Sequence, residues 1–131
     1  YQLLRQGVTI FVATAYLDEA ERCHRVGLIH RGRLLACDTP DNLRRLMPGT
    51  ILEVRAADGR RAARLLREKL PERSVGLFGD RLHLVSDDPD ADAAAVTSVL
   101  SDAGLGLHGL GPVEPSLEDV LVSVLAARET R

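Results

Sequence analysis

Residues 50–70, TILEVRAADGRRAARLLREKL, contain the pattern that decides the fold. Apolar and polar side chains alternate from Thr50 to Ala56 with the two-residue period of a β-strand. From Asp58 to Leu70 the apolar residues recur every three to four positions, which is the period of an amphipathic helix. The apolar stripe consists of Ala62, Leu65, Leu66 and Leu70. This stretch therefore predicts a strand followed by a helix with one buried face.

The segments that follow predict a hairpin, a helix, a strand and a final helix. Gly79-Asp80 is typical of a hairpin turn, and Ser116 with Asp119 is typical of a reciprocal helix cap. The predicted segments are Val75–Phe78, Arg81–Val85, a helix from Asp88-Pro89 to Gly104, a strand at Leu105–Leu110 and a helix from Ser116. The order β-α-β-β-α-β is that of a ferredoxin-like, split βαβ domain. The predicted fold class is therefore α+β in two layers.

The residues before this unit follow a different pattern. Val8 to Ala13 are nearly all apolar, which is typical of a strand covered on both faces in a parallel sheet. Such a strand needs neighbouring strands, and we expect them to belong to a longer protein of which this chain is the C-terminal piece. Leu17 to His24 predict a short acidic helix. Val26–His30 and Arg33–Cys37 predict a hairpin around Arg31-Gly32.

A second helix start lies at Thr39-Pro40. Threonine is a good N-cap, and proline suits the first helical position because its missing N–H is not needed there. Pro48-Gly49 ends this helix. The predicted domain boundary is therefore at residues 47–50, which divides the chain into residues 1–47 and residues 48–131.

The composition excludes several classes of protein. Seventeen basic against 19 acidic residues give a net charge of −2, which argues against a nucleic-acid partner. Aromatic residues are 3% of the chain, so platforms for stacking bases or sugars are not expected. Two cysteines are too few for a disulfide scaffold. No apolar run approaches the roughly 20 residues that span a bilayer, and we expect a soluble intracellular chain.

Motifs for chemistry are scarce. The only lysine, Lys69, does not follow a glycine-rich loop, so the chain has no phosphate-binding P-loop. Cys23-His24 and Cys37 lack the paired close spacing of zinc ligands, and we expect no metal. His83 and His108 are interpreted as ordinary surface or half-buried residues of the predicted strands.

Two charged segments are interpreted as structural. Asp87 to Asp92 lack the order of a calcium loop, and a helix N-terminus is preferred. The arginines of the predicted helix could bind phosphate groups or lipid headgroups, but a solvated helix face is favoured. These arginines are Arg60, Arg61, Arg64 and Arg67.

Residues 7–46, GVTIFVATAYLDEAERCHRVGLIHRGRLLACDTPDNLRRL, carry a more specific signal. Five short segments match, in order, the end of a known nucleotide-binding domain. They are Thr14, Asp18-Glu19-Ala20-Glu21, Arg25-Val26, Gly32-Arg33 and Asp38-Thr39-Pro40. This stretch resembles the last part of an ABC-transporter ATPase. It looks most like the multidrug branch that works with ABC-2 type permeases and often carries an extra C-terminal domain.

The resemblance implies a P-loop NTPase-type α/β domain that ends in residues 1–47, and an accessory domain in residues 48–131. The parent protein would use ATP and Mg²⁺ to drive export of a drug or other small molecule. Its partners would be an ABC-2 type permease and a second nucleotide-binding domain. It would lie in the cytoplasm at the inner face of the membrane. The phosphate loop and Mg²⁺-binding carboxylates of such proteins lie upstream, so we expect this chain to be inactive and to bind no cofactor, with a regulatory or interaction role for the accessory domain.

One position departs from the family. The switch histidine that contacts the γ-phosphate would follow Thr14, and this sequence has Ala15 there. A methyl group can neither donate a hydrogen bond nor hold the attacking water. Thr14 and Ala15 are therefore the candidate nucleotide-site residues, with the site degenerate at Ala15.

Two other functions fit the predicted second domain. It could be a free-standing small-ligand sensor or dimerisation module, because ferredoxin-like units often bind effectors between paired copies. A single-strand RNA-binding module of the same topology would need exposed aromatic residues on its sheet. Thr50–Ala56 and Arg81–Val85 contain none, so this second alternative is disfavoured.

Overall fold

Strands and helices follow one another along residues 5–129, the part of the chain that the computed structural model describes. The strands are β1 Val26–His30, β2 Arg33–Asp38, β3 Thr50–Ala56, β4 Val75–Phe78, β5 Arg81–Ser86 and β6 Leu107–Val113. The helices are α1 Leu17–Ala20, α2 Pro40–Arg44, α3 Gly59–Lys69, α4 Pro89–Asp102 and α5 Leu117–Glu129.

A four-stranded sheet in the order β4-β5-β3-β6 forms the centre of the part of the molecule that follows residue 47. Each neighbouring pair is antiparallel. Val54 of β3 lies opposite Leu82 of β5, and the next residue toward the N-terminus, Glu53, lies opposite His83. Because successive side chains point to opposite faces, Val54 and Leu82 share one face, while Glu53 and His83 share the other.

Helices α3 and α4 pack on the apolar face of this sheet. Their buried residues form one core cluster with the strands: Leu52, Val54, Ala62, Ala63, Leu66, Val75, Leu82, Leu84, Val96 and Leu100. The predicted α+β class is confirmed, and the observed pairing is antiparallel. From residue 50 onward the elements also follow one another in the predicted order. Ala62 and Leu66 of the predicted α3 stripe are buried, but Ala63 is buried in addition and Leu65 is only half-buried.

Helix α5 belongs to a different core cluster. Leu117 and Val120 of α5 are completely buried against elements that precede residue 47. The other buried members of this cluster are Ala20, Val26, Leu28 and Leu43. The last helix therefore joins the β1–β2 hairpin and helices α1 and α2 to the rest of the molecule. The division into residues 1–47 and 48–131 stays a proposal.

The predicted strand at residues 8–13 is not observed, since these residues form neither helix nor strand. Phe11 is 95% exposed, and Val12 and Ile10 are also exposed. A strand is held by hydrogen bonds to a neighbouring strand, and none of the described strands pairs with this segment. Helix α1 is also shorter than predicted, and β6 lies two residues further along at its start.

The predicted turns and caps are observed. Gly32 has φ of +76° in the β1–β2 turn, and Gly104 has φ of +71° where α4 ends, a conformation that suits glycine. The Thr39 hydroxyl accepts a hydrogen bond from the Asn42 backbone N–H at 3.2 Å, with Pro40 at the first helical position. These local signals fix where the chain reverses and where α2 begins.

Leu84→Ala should lower the free energy of unfolding by about 3 kcal/mol, because Leu84 is completely buried between the sheet and the helices. The matched control is Leu46→Ala, since Leu46 is 54% exposed and its removal should change that free energy by less than about 0.5 kcal/mol. Urea denaturation measures both variants. Equal losses would contradict the assignment of this core.

Candidate functional site

Thr14 and Ala15, the candidate nucleotide-site residues, lie just before α1. The Thr14 hydroxyl donates to Glu19 Oε2 at 2.9 Å and accepts from the Tyr16 backbone N–H at 2.9 Å. Ala15 is exposed at a bend between them. Thr14 therefore fixes the entry into the short acidic helix.

This local geometry does not by itself fit a triphosphate. A hydroxyl has a single proton to donate, and the Thr14 proton goes to Glu19. Phosphate oxygens only accept hydrogen bonds, and the Glu19 carboxylate beside the hydroxyl repels an anion. The role of Thr14 and Ala15 in a nucleotide site stays a prediction.

A second candidate site lies on the face of the sheet opposite α3 and α4. His83 of β5 lies between two carboxylates, Glu53 of β3 and Asp119 of α5. His83 Nδ1 lies 2.6 Å from Asp119 Oδ1, and His83 Nε2 lies 3.1 Å from Glu53 Oε2. The side chains are 11%, 13% and 3% exposed for His83, Glu53 and Asp119. These three residues are called the histidine cluster below.

Both ring nitrogens of His83 must carry a proton to make these contacts. An ionised carboxylate only accepts hydrogen bonds, so each nitrogen has to donate, and the ring is an imidazolium. The hydrogen bond to Asp119 raises the pKa of His83, and the bond and charge of Glu53 add to this against the effect of burial. The Phe78 ring lies against His83 with its centroid 5.0 Å away.

The carboxylates are stabilised in their ionised forms. Burial raises the pKa of Glu53, but the hydrogen bond from His83, the charge of Arg81 and the hydrogen bond from Arg55 outweigh it, and the net shift is downward. Burial also raises the pKa of Asp119, and there the hydrogen bonds from His83 and the Ser116 N–H outweigh it. Two carboxylates, of Glu53 and Asp119, therefore contact His83 directly. The guanidinium groups of Arg55 and Arg81 lie on the far side of the Glu53 carboxylate.

Asp119 also organises the start of α5. Its Oδ2 accepts from the Ser116 backbone N–H at 2.8 Å, and the Ser116 hydroxyl accepts from the Asp119 N–H at 3.2 Å. This is the reciprocal cap that the sequence predicted. The same carboxylate therefore caps α5 with one oxygen and attaches it to the sheet with the other.

The sequence did not predict the histidine cluster. Glu53 and His83 are the polar residues of two alternating strands, which is a signal that they share a face. They are 30 residues apart, and Asp119 is 36 residues beyond His83. Asp119 was assigned only to the helix cap, because nothing in the sequence indicates that α5 crosses this face of the sheet.

The other candidate residues are not members of this cluster, although His108 lines the same groove as Glu53. Cys23 is half-buried and Cys37 exposed, both as free thiols. Within residues 5–129 no group of three or more potential ligands is arranged to hold a metal ion. His108 is exposed and lines an open groove of about 240 Å³ on the sheet. Arg67 donates to the Val75 carbonyl at 3.0 Å, and the other three arginines of the α3 face are exposed.

The acidic run at residues 87–92 begins a helix, as predicted. Asp88 is the N-cap of α4 and accepts from the Ala91 N–H at 3.2 Å. Asp92 is buried and accepts from Arg73 Nε at 2.9 Å and from the Ser86 hydroxyl. Arg73 and Asp92 thus form an ion pair on the side of the sheet that faces α4.

Among the described helices, none is long and apolar enough to cross a bilayer.

Comparison with known proteins gives the family. No family model matches the chain. The daunorubicin resistance ATP-binding protein DrrA2 of Streptomyces coeruleorubidus is 30% identical over 131 residues, which include 96% of this chain and 41% of that protein. A probable multidrug ABC transporter ATP-binding protein of Escherichia coli, YbhF, is 50% identical over 42 residues, 32% of this chain and 7% of that protein. The chain belongs with the ABC transporter ATP-binding proteins.

A third relative agrees with this assignment. The daunorubicin/doxorubicin resistance ATP-binding protein DrrA of Streptomyces peucetius is 28% identical over 109 residues, 82% of this chain and 30% of that protein. The chain spans about two fifths of the length of DrrA2, and less of the other two relatives. The resemblance to ABC-transporter ATPases that residues 7–46 carry is confirmed.

His83→Gln should lower the free energy of unfolding at pH 6 by about 2 kcal/mol, because two mostly buried carboxylates lose a charged donor. Because folding raises the pKa of His83, its contribution is complete below the ordinary value of 6.5 and is lost as the pH rises through the raised value. The lowered pKa values of Glu53 and Asp119 make their contributions complete above their ordinary values of 4.5 and 3.8. These contributions are lost as the pH falls through the lowered values.

Denaturation at a series of pH values measures this profile. The wild type should lose stability as the pH rises from 6.5 through the raised pKa of His83, and His83→Gln should remove most of that slope. His108→Gln is the matched control, because His108 is exposed and takes no part in the hydrogen bonds that join His83 to Asp119 and Glu53. A slope that persists in His83→Gln and disappears in His108→Gln would refute the assignment.

Proposed function

We propose that this chain is part of an ABC transporter ATP-binding subunit that couples ATP binding and hydrolysis to the export of a drug or another small molecule. The observation that carries the proposal is the match to a drug-resistance ATP-binding protein over 96% of this chain. That match extends beyond the residues that resemble the end of a nucleotide-binding domain. The later residues are therefore shared with a relative that is named for ATP binding.

The second half of the chain is proposed to be a ferredoxin-like accessory domain with a regulatory or interaction role. Its support is the strand order β4-β5-β3-β6 with a helix after β3 and another after β5, which agrees with the split βαβ arrangement. Residues 1–47 would be the end of the nucleotide-binding domain. The sensor alternative lacks a relative of that kind among the proteins compared.

The proposed cofactors of the whole protein are ATP and Mg²⁺, as expected for the family. The chain alone is proposed to be inactive, since it has no P-loop and the Thr14 proton is used by Glu19. The proposed partners are an ABC-2 type permease and a second nucleotide-binding domain. The protein would then lie on the cytoplasmic side of the membrane, attached through the permease.

Ala15 is proposed to make one nucleotide site degenerate. In the family a histidine at this position holds the attacking water, and loss of one such group commonly costs about a hundredfold in turnover, or roughly 3 kcal/mol. The site would still bind nucleotide through upstream residues. It would act as a structural element beside a competent second site.

Ala15→His in the full-length protein should raise single-turnover ATP hydrolysis at this site by about tenfold or more, because a positioned imidazole is restored. Nucleotide binding should be unchanged. The matched control is Ala13→His, which places the same side chain two residues away and should leave the rate unchanged.

The outcomes separate two claims. If full-length protein with either residue at position 15 fails to bind Mg-ATP, the proposed ATPase function is wrong. If both proteins bind Mg-ATP and hydrolyse it at the same rate, the function stands and the degenerate switch at Ala15 is wrong.

A further inference from the structure

Glu21 connects the segment before β1 to the last helix. Its Oε1 accepts from the Leu117 backbone N–H at 3.0 Å and lies 3.5 Å from Arg44 Nη2. Leu117 is the first residue of α5, where the backbone N–H groups have no partner within the helix. A carboxylate is favoured there by the helix dipole as well as by the hydrogen bond. Glu21 thus attaches residues 14–21 to α5 across 96 residues of sequence.

Residues 14–21 are themselves held together locally. Thr14 is bonded to Glu19, and the Glu21 backbone N–H donates to the Leu17 carbonyl at 3.1 Å. Ala20 is buried in the cluster that contains Leu117 and Val120. A displacement of α5 would therefore act on this segment through both Glu21 and the apolar contact.

The histidine cluster fixes α5 from its other side. Asp119 is two residues after Leu117, in the same helical turn, and its Oδ1 is bonded to His83. A hydrogen bond weakens when its atoms separate by a few tenths of an ångström. One turn of α5 therefore carries two contacts, to the sheet and to Glu21, that depend on the same position of the helix.

We propose that Glu21 is a positioning residue, which holds the segment carrying Thr14 and Ala15 against α5, and that the histidine cluster keeps α5 where Glu21 can reach it. The relevance of this segment to a nucleotide rests on the proposed function, but the coupling itself does not. The sheet of the second half would then determine how firmly the proposed switch segment is held.

A double-mutant cycle on the full 131-residue chain tests the coupling. Amide hydrogen exchange by NMR is measured for Glu21 and for Cys23, whose backbone N–H donates to the Ala20 carbonyl at 3.0 Å. It is measured separately for residues 120–124 of α5, at pH 6. His83→Gln should accelerate exchange about fivefold or more in both groups. Glu21→Ala should accelerate exchange at residue 21 and at Cys23. Adding His83→Gln to that variant should then change exchange at these two positions little, while it still accelerates exchange in residues 120–124 of α5.

Two further variants separate positioning from general destabilisation. Glu21→Gln keeps an oxygen that accepts from the Leu117 N–H, and should retain most of the protection of Glu21 and Cys23. Arg73→Gln breaks the Arg73–Asp92 pair, which involves α4 and no residue of α5, and should leave the exchange of both groups nearly unchanged. If His83→Gln unfolds too much of the protein, Glu53→Gln weakens the same cluster by one charge.

Additive effects at Glu21 and Cys23 would overturn the proposal, and so would acceleration confined to α5 in His83→Gln. An equal effect of Arg73→Gln on Glu21 and Cys23 would also overturn it. No nucleotide is used, so none of these outcomes bears on whether the full-length protein is an ATPase.

Discussion

His83 donates from both ring nitrogens to carboxylates that lie on different elements of the fold. Asp119 brings α5 to the sheet, and Glu53 fixes the ring from the neighbouring strand. Because α5 also contributes Leu117 and Val120 to the second core cluster, its position determines where the first part of the chain lies. A charged group of three residues, mostly shielded from water, thus supports the contact between the two halves of the molecule.

A buried charge is costly unless it is paired, and breaking one partner of such a group costs more than the group contributes when intact. The arrangement therefore favours the observed placement of α5, because moving the helix away would leave the buried charges of Asp119 and His83 without each other. The raised pKa of His83 predicts that this attachment weakens at high pH, in contrast to the apolar contacts between the sheet, α3 and α4.

The sequence predicted the local structure well because its signals are local. The alternation from Thr50 to Ala56, the Thr39-Pro40 helix start and the Ser116–Asp119 cap each involve residues within a few positions of one another. The strand predicted at residues 8–13 is not observed, because a strand depends on a neighbouring strand and none of the described strands pairs with these residues. His83 was interpreted as an ordinary half-buried residue, because its partners are 30 and 36 residues away and only the packing of α5 brings Asp119 to it. Glu21 matched a family motif, but its contact with Leu117 crosses almost the whole chain.

The protonation state of His83 at neutral pH tests the central claim most directly. Nitrogen-15 NMR of the imidazole ring, assigned with the His83→Gln variant, distinguishes a doubly protonated ring from either neutral tautomer. The geometry predicts that at pH 7 both His83 ring nitrogens carry protons, with Nδ1–H in a short hydrogen bond to Asp119. A neutral ring with one protonated nitrogen at pH 7 would contradict the ionic attachment of α5 to the sheet.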